Sequence, residues 1–300
     1  MLDVALVTEQ SLLIKGKNSK YDDSDDILLR KALLERGLTV ARMAWDDFSI
    51  DWTKIKCAVI CSTWNYQRHV NAFVNWLTEL ERSQCTLVND IQLILWNIHK
   101  KYLLDLSANS INIPNTYFVS SRSELRTETW LNLFGSDSIV IKPAISASAV
   151  GTVLVANFAI FQQSIETDIV SDREFIVQPF MKSIKTRGEL SMIFLEGVYS
   201  HAKIKKPTPR DFRVQREFGG VQEDVVPAKH EILFGQRVIN TCAKILSMPV
   251  FARVDVCYDN DSQLALMELE LIEPELWLQS SASAVQRLAD CIEKVHIKTK

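Results

Sequence analysis

At 300 residues with 47% hydrophobic content, the chain can bury a large core, and its length suits about two structural units rather than one. Lys and Arg total 34 against 37 Asp and Glu, a net charge of -3, so the balance singles out neither a nucleic acid nor a membrane as partner. Met1–Val7 lacks the pattern of a signal peptide and no apolar run is long enough to span a bilayer, so the expected location is cytoplasmic.

Leu2–Val7 reads as a first strand. Tyr21–Gly37 reads as a helix: it opens on Asp22, Asp23, Asp25 and Asp26, carries Leu29, Ala32 and Leu33 at helical spacing, and meets Gly37 where a helix would stop. Leu38–Met43 and Cys57–Cys61 are the next strands. Cys57 and Cys61 flank Ala58-Val59-Ile60 and read as packing thiols, since the six cysteines include no Cys-x-x-Cys pair and the five histidines lie too far apart for a compact zinc site. After a turn at Trp64-Asn65-Tyr66, Val70, Phe73, Val74 and Leu77 fall at i, i+3, i+4 and i+7, which predicts a helix with one buried face. The resulting βαβαβ pattern predicts an open parallel α/β sheet over residues 1–90.

From about residue 90 the pattern becomes α+β. Trp96–Leu106 reads as one helix, Ile113-Pro114 as a break, and Tyr117–Ser120 and Ile139–Lys142 as strands. Phe175–Gln178, Leu190–Leu195, Val198–Lys203, Phe251–Cys257 and Leu264–Leu271 are further short strands, with a helix expected over Glu231–Leu246. No Gly/Ser linker separates the units, so they should pack together.

Two of these strands carry charge. Arg253 and Asp255 alternate along one, Glu268 and Glu270 along the next, and the turn between them holds Asp259, Asn260 and Asp261, as in a hairpin. If Asp255 faces Glu268 and Arg253 faces Glu270, all four charges share one side; a one-residue slip separates them. Such a face can be solvated, or it can hold magnesium together with substrate phosphates, because hard oxygen ligands suit that ion. Glu273 and Glu275 follow, either orienting the first acids or facing water. Lys142 ends an apolar strand, and Ala144–Thr152 after it is a loop of small residues that can approach phosphate closely; the alternative is a surface loop. Lys100 and Lys101 can lie on a solvated helix face, and Arg213, Arg216 and Gly219-Gly220 in a polar loop.

The order of these features resembles the ATP-grasp superfamily, in particular ligases such as bacterial glutathione synthetase and the O-ureidoserine cyclo-ligase of cycloserine formation. The matching stretches run from about residue 57 to residue 278: Ser62-Thr63-Trp64-Asn65-Tyr66, Trp96-Asn97-x-x-Lys100-x-Tyr102-Leu103, Ile141-Lys142-Pro143, Val177-Gln178-Pro179-Phe180 and Gly188-Glu189-x-Ser191. They continue through Ser200-His201-Ala202, Asp211-Phe212-Arg213-Val214-Gln215, Gly219-Gly220, Arg253-Val254-Asp255 and Glu268-Leu269-Glu270-Leu271-Ile272-Glu273-Pro274.

The resemblance implies an ATP-grasp fold: an N-terminal open parallel α/β domain over 1–90, a central lid over 91–175 and a C-terminal α+β unit with a metal site over 176–300. It implies ATP and Mg2+ as cofactors. Lys100 and Lys142 would contact ATP, Gln178, Pro179, Phe180 and Met181 would form the hinge that reads adenine, and Glu189 would meet the ribose. Lys205, Arg213 and Arg253 would be catalytic, Lys205 and Arg213 near the γ-phosphate and acyl phosphate, while Asp255, Glu268 and Glu270 would bind magnesium. Two positions depart from the superfamily's pattern: Glu270 stands where asparagine is common, and His99 replaces an acid.

The implied reaction is carboxylate–amine ligation through an acyl phosphate on an amino acid or small peptide-like substrate; a phosphotransferase, or a nucleotide-binding protein without turnover, are the alternatives. Trp64, Asn65, Tyr66 and Arg68 follow a sheet strand where ligands of open α/β sheets bind, and are the candidates for the substrate side, with packing on the core as the other reading of Trp64 and Tyr66.

Overall fold

The computed structural model describes residues 1–14, 25–120, 127–156 and 174–298. Asp22 and Asp23, read as the opening of a helix, lie outside the described residues.

Four strands, β1 (Leu2–Thr8), β2 (Val40–Ala44), β3 (Ile55–Ser62) and β4 (Thr86–Val88), form a parallel sheet in the order β2-β1-β3-β4. Its central strands are apolar on both faces because helices cover both. After a short helix α1 (Gln10–Ile14), α2 (Asp25–Glu35) sets Leu29, Ala32 and Leu33 against Val4 and Leu6. On the other face, α3 (Val70–Arg82) buries Phe73, Trp76, Leu77 and Leu80 against Ala5 and Val7. The expected periodicity of this helix holds for Phe73 and Leu77, whereas Val70 and Val74 sit at the half-buried margin of the face that Trp76 and Leu80 extend.

The single helix expected over Trp96–Leu106 is two helices, α4 (Ile91–Ile98) and α5 (Tyr102–Ala108). His99 is extended between them (φ -107°, ψ 126°), and the Lys100 N–H donates to the Ala144 carbonyl at 2.9 Å instead of closing a helical turn. His-Lys-Lys contains no helix breaker, so tertiary hydrogen bonding overrides local propensity here.

A second, antiparallel sheet follows: β5 (Tyr117–Val119), β6 (Ile139–Pro143), β7 (Val153–Val155) and β8 (Phe175–Pro179), in the order β5-β8-β6-β7. It has its own small core, in which Ile141, Val155 and Val177 meet Trp130 and Phe134 of α6 (Thr127–Phe134). Because β8 pairs with β5 and β6, this sheet ends at Pro179; a boundary at 175 would cut its central strand away.

The third sheet is antiparallel, with β9 (Glu189–Leu195), β10 (Val198–Lys206), β11 (Val221–Val225), β12 (Phe251–Tyr258) and β13 (Leu264–Glu270) in the order β11-β10-β9-β12-β13. The four-residue helix α7 (Ser183–Thr186) leads into it, and α8 (Lys229–Ile245) lays Phe234, Val238 and Ile239 on one face. Leu93 of α4 and Tyr102, Leu103 and Leu106 of α5 join that same core, so this helix pair packs with the third sheet. The last helix, α9 (Ala282–Lys298), returns to the first sheet, where Leu288 and Ile292 pack with Leu6 and Leu33, and Arg36 of the α2–β2 turn reaches Asp290 at 2.6 Å.

Asn89, just after β4, ties the first sheet to the third. Its amide nitrogen donates to Phe251 and Leu271 carbonyls, both at 2.9 Å, and its oxygen accepts from the Val250 N–H at 2.6 Å. Each buried group left unpaired costs about 1–3 kcal/mol. Asn89→Leu is therefore expected to lower unfolding free energy by roughly 3 kcal/mol, seen as a lower denaturant midpoint with an unchanged slope.

Candidate active site

The hairpin of β12 and β13 has the register that gathers its charges: Arg253 faces Glu270 and Asp255 faces Glu268. The register shifts between Asp255 and Val256, leaving Met267 as the extra residue of a bulge beside the acids. Lys205 joins them from β10, where it lies opposite Glu189 of β9. Its ammonium sits 2.7 Å from Glu189 Oε1 and 2.9 Å from Asp255 Oδ2. Arg253 binds Asp255 in a fork, Nε to Oδ1 at 3.0 Å and NH2 to Oδ2 at 3.0 Å, and also reaches Glu270. Lys100, from the break between α4 and α5, binds Glu268 and donates to the Ser146 carbonyl at 3.2 Å.

Lys100, Glu189, Lys205, Arg253 and Asp255 are buried, while Glu268 and Glu270 are half-buried at the cavity, and loss of water pulls each towards its neutral form. Burial would raise the Asp255 carboxyl, but Arg253 and Lys205 outweigh it and hold the group well below the usual carboxylate range. Glu268 is likewise lowered overall, because Lys100 and Lys142 oppose its burial. Glu270 is pushed up to about 7 by burial, with Asp255 and Glu268 adding to the push against Arg253. Glu273 is raised well above the usual range, by burial first and then by Glu270. The acids Glu189, Asp255, Glu268, Glu270 and Glu273 outnumber the cations Lys100, Lys142, Lys205 and Arg253 around them.

A cavity of about 1040 Å³ opens over this cluster. On one side it is lined by Lys142 of β6 and by Gln178, Phe180 and Met181 at the end of β8. Lys142 has no ion pair with a described residue, and burial lowers the pKa of its ammonium. The Gln178 side chain is spent on Thr116 Oγ1 at 2.8 Å, and the Phe180 N–H on Ser138 O at 3.0 Å. Met181 lines the cavity, and its backbone N–H has no hydrogen-bond partner among the described residues. The loop after Lys142 turns through left-handed backbone at Ser148 (φ 51°), Ala149 (φ 54°) and Gly151 (φ 72°), a conformation that small residues tolerate best. Arg213 also lines the cavity, held by Asp211 at 2.8 Å and stacked 3.4 Å from the Phe218 ring centroid.

Of the four residues expected on the substrate side, Trp64 and Tyr66 line the cavity, and Tyr66 also packs on Phe73 with ring centroids 4.8 Å apart. Asn65 accepts from the Trp45 indole at 2.8 Å and donates to Asp46 at 2.8 Å, and it is not part of the lining. Arg68 is exposed and also outside the lining. Lys205, expected near the γ-phosphate, is 3% exposed and taken by two carboxylates, and Glu189, expected at the ribose, is one of them. Lys100 is 5% exposed at a helix break, so the reading of a solvated helix face does not hold.

Sequence reasoning missed Trp277 and Gln222 as lining residues. The Trp277 indole donates to Gln222 at 3.0 Å, and Arg253 lies 5.3 Å from the ring centroid; neither residue belongs to a motif that spacing could reveal. Asp25, read only as a helix opening, accepts the N–H groups of Leu276, Trp277 and Leu278 at 2.6, 3.0 and 2.6 Å. Burial nevertheless pushes its carboxyl up to about 6 from 3.8. The folded state thus holds this proton more tightly than the unfolded chain: the associated stability is complete below pH 3.8 and is lost as pH rises through about 6. Asp25→Asn, which keeps an acceptor but cannot ionise, is expected to flatten that part of the stability–pH profile measured by thermal unfolding.

Among the described residues, no three acid, imidazole or thiol side chains converge on a point where one ion could be held. Asp255, Glu268 and Glu270 are each turned onto a neighbouring cation instead. The set nonetheless fits magnesium: its donors are hard carboxylate oxygens, and neighbouring acids add to burial in keeping Glu270 and Glu273 from ionising, a load that a bound cation would relieve.

A family described as the D-cycloserine synthetase DcsG N-terminal domain matches residues 4–89. The cycloserine biosynthesis protein DcsG of Streptomyces lavendulae is 25% identical over 297 residues, covering 90% of this chain and 93% of the relative. A crystal structure of D-cycloserine synthetase DcsG superposes with a TM-score of 0.85 at 23% identity, over 97% of this chain and 99% of that one. The D-alanine–D-alanine ligase of Bacillus anthracis, solved with ATP, gives a TM-score of 0.70 at 16% identity over 98% and 97% of the two chains. The ATP-grasp ligase PsnB, solved with its minimal precursor, Mg and ADP, gives 0.62 at 11% identity over 98% of each chain. The chain has the ATP-grasp fold of these ligases.

Proposed function

We propose that this ATP-grasp ligase joins a carboxylate to an amine through an acyl phosphate, acting on an amino acid or small peptide-like substrate. The observation that carries the reading is one cavity in which Lys142, an ammonium without an ion pair among the described residues, faces an acid hairpin whose Glu268 and Glu270 carboxylates open onto the same space. A nucleotide with its metal suits both, anionic phosphates for the lysine and a divalent cation for hard carboxylate oxygens that now rest on neighbouring side-chain cations.

In this reading adenine lies against Phe180 and Met181, where the Met181 N–H is available, and the phosphates run past Lys142 and the loop at Ser146–Ala149. Lys205 and Arg253 hold Asp255 ionised and oriented, so they support the site from below. Asp255, Glu268 and Glu270 would hold magnesium, which would supply positive charge for the transferring phosphoryl group. An oxygen of the substrate carboxylate attacks the γ-phosphorus while the bond to the leaving ADP oxygen breaks. Arg213, in the cavity lining, supplies positive charge as the acyl phosphate forms. The amine nitrogen then attacks the acyl carbon, the carbon–oxygen bond to phosphate breaks, inorganic phosphate leaves, and the amine gives up a proton. Trp64 and Tyr66 bound the acceptor end.

A screen of amino acids and dipeptides with magnesium and ATP, reading ADP, phosphate and the mass of the product, tests this. Stoichiometric ADP and condensed product support ligation, and a product formed from one molecule carrying both groups identifies ring closure. Phosphorylated product without condensation overturns ligation in favour of phosphotransfer, and nucleotide binding without turnover overturns catalysis altogether.

A further inference from the structure

β13, which carries Glu268 and Glu270, is an edge strand of the third sheet, yet its outer edge is satisfied by hydrogen bonds from the segment that leads from β4 to β5. The Leu269 N–H donates to the Tyr102 hydroxyl at 3.0 Å. Asn97 donates to the Leu269 carbonyl at 2.8 Å and accepts the Leu271 N–H at 3.0 Å. The Leu271 carbonyl accepts from Asn89 at 2.9 Å, while at the far end of the strand Asn112 donates to the Leu264 carbonyl at 3.0 Å. Apart from the Leu266 N–H, which donates to the Asn112 carbonyl at 2.8 Å, side chains thus take the place of a missing neighbour strand, and the two that flank Glu268 and Glu270 most closely are Asn97 and Tyr102.

We propose that Asn97 and Tyr102 form a latch that positions Glu268 and Glu270 for the divalent cation, an inference that rests on the preceding reading of the site. The bulge at Met267 makes the latch necessary: an extra residue beside Glu268 loosens the ladder at the point where two acids must keep one orientation. Both latch residues come from the same short segment as Lys100, whose side chain binds Glu268 and whose N–H is fixed to Ala144 at the entrance of the small-residue loop. The break between α4 and α5 therefore aligns a cation, two carboxylates and the loop with one another. Neither Asn97 nor Tyr102 needs to touch the ion. Outer groups of this kind commonly change metal affinity by about 10-fold to 100-fold when removed.

Tyr102→Phe is the clean probe, because it removes one hydroxyl and keeps the ring packed 5.4 Å from Trp96. Two readouts are taken on the full chain: Mn2+ binding in the presence of ADP, followed by electron paramagnetic resonance, and amide exchange at Leu269. The expected result is Mn2+ affinity weakened by about 10-fold or more with faster exchange at Leu269. Asn112→Ala, which loosens the other end of the same strand, is expected to leave Mn2+ affinity at the wild-type value. Wild-type affinity in Tyr102→Phe overturns the latch, and so does an equal loss in Asn112→Ala. A wild-type protein that binds no Mn2+ with ADP overturns instead the reading of the site on which the latch rests.

Discussion

Lys142→Ala is expected to abolish measurable ATP turnover while leaving the melting temperature unchanged or slightly raised. The lysine ends β6 inside the cavity with no ion pair to a described residue, and burial already disfavours its charge. Burial thus outweighs the pull of Glu268 on this ammonium, so folding gains little from it, whereas an anionic ligand gains its attraction. A phosphate oxygen about 4 Å away interacts with it by roughly 4 kcal/mol at an effective dielectric near 20, which as transition-state stabilisation corresponds to about a thousandfold in rate. Glu268→Ala should remove turnover as well, for a different reason: it deletes a carboxylate proposed to hold the metal and frees the Lys100 ammonium, which then keeps only the Ser146 carbonyl among the described residues. ADP release measured beside thermal unfolding separates the cases, since both variants must stay folded. Turnover retained in both would remove the site assignment.

The acid hairpin was legible as a hairpin, but the alternation of a strand left two phases open, and the structure takes the one that gathers Arg253, Asp255, Glu268 and Glu270. The parallel first sheet was legible because long apolar runs separated by one strongly periodic helix leave few arrangements. The expected set of strands lacks the short, three-residue β4 and β7, and also β11, whose Val-Gln-Glu-Asp-Val run has no buried position to mark a face. The split at His99-Lys100-Lys101 was invisible because what breaks the helix is a carbonyl 44 residues further on, at Ala144. For the same reason the sequence could not tell Lys100, buried against Glu268, from a lysine in water. Asn65 and Arg68 illustrate the opposite error: adjacency to Trp64 and Tyr66 put them in the same candidate set, but the turn directs Asn65 to Trp45 and Asp46 and leaves Arg68 exposed. Positions in the chain order were a good guide to which elements meet, and a poor one to which side of a turn each residue takes.

Lys205→Met should have the reverse signature of Lys142→Ala, a large loss of stability. Its ammonium is 3% exposed and bridges Glu189 and Asp255, so a side chain of similar length without the charge leaves two buried acids short of a partner. Asp255 keeps its fork to Arg253, which makes Glu189 the orphan. Breaking a buried pair from one side costs about 3–5 kcal/mol. Burial already raises the Glu189 carboxyl even with Lys205 present, so removing the lysine raises it further. At neutral pH the folded variant must then either bury the unpaired charge or take up a proton, and the loss should shrink as pH falls towards the ordinary glutamate range, where the unfolded chain binds that proton as well. Adding Glu189→Gln to Lys205→Met removes the orphaned charge directly. The double variant is expected to recover most of the lost stability at pH 7 in chemical denaturation, a coupling of at least about 1–3 kcal/mol between the two sites. If the two losses simply add, Lys205 is not acting as the shared counter-charge of Glu189 and Asp255, and its buried position must be explained by contacts other than this ion triad.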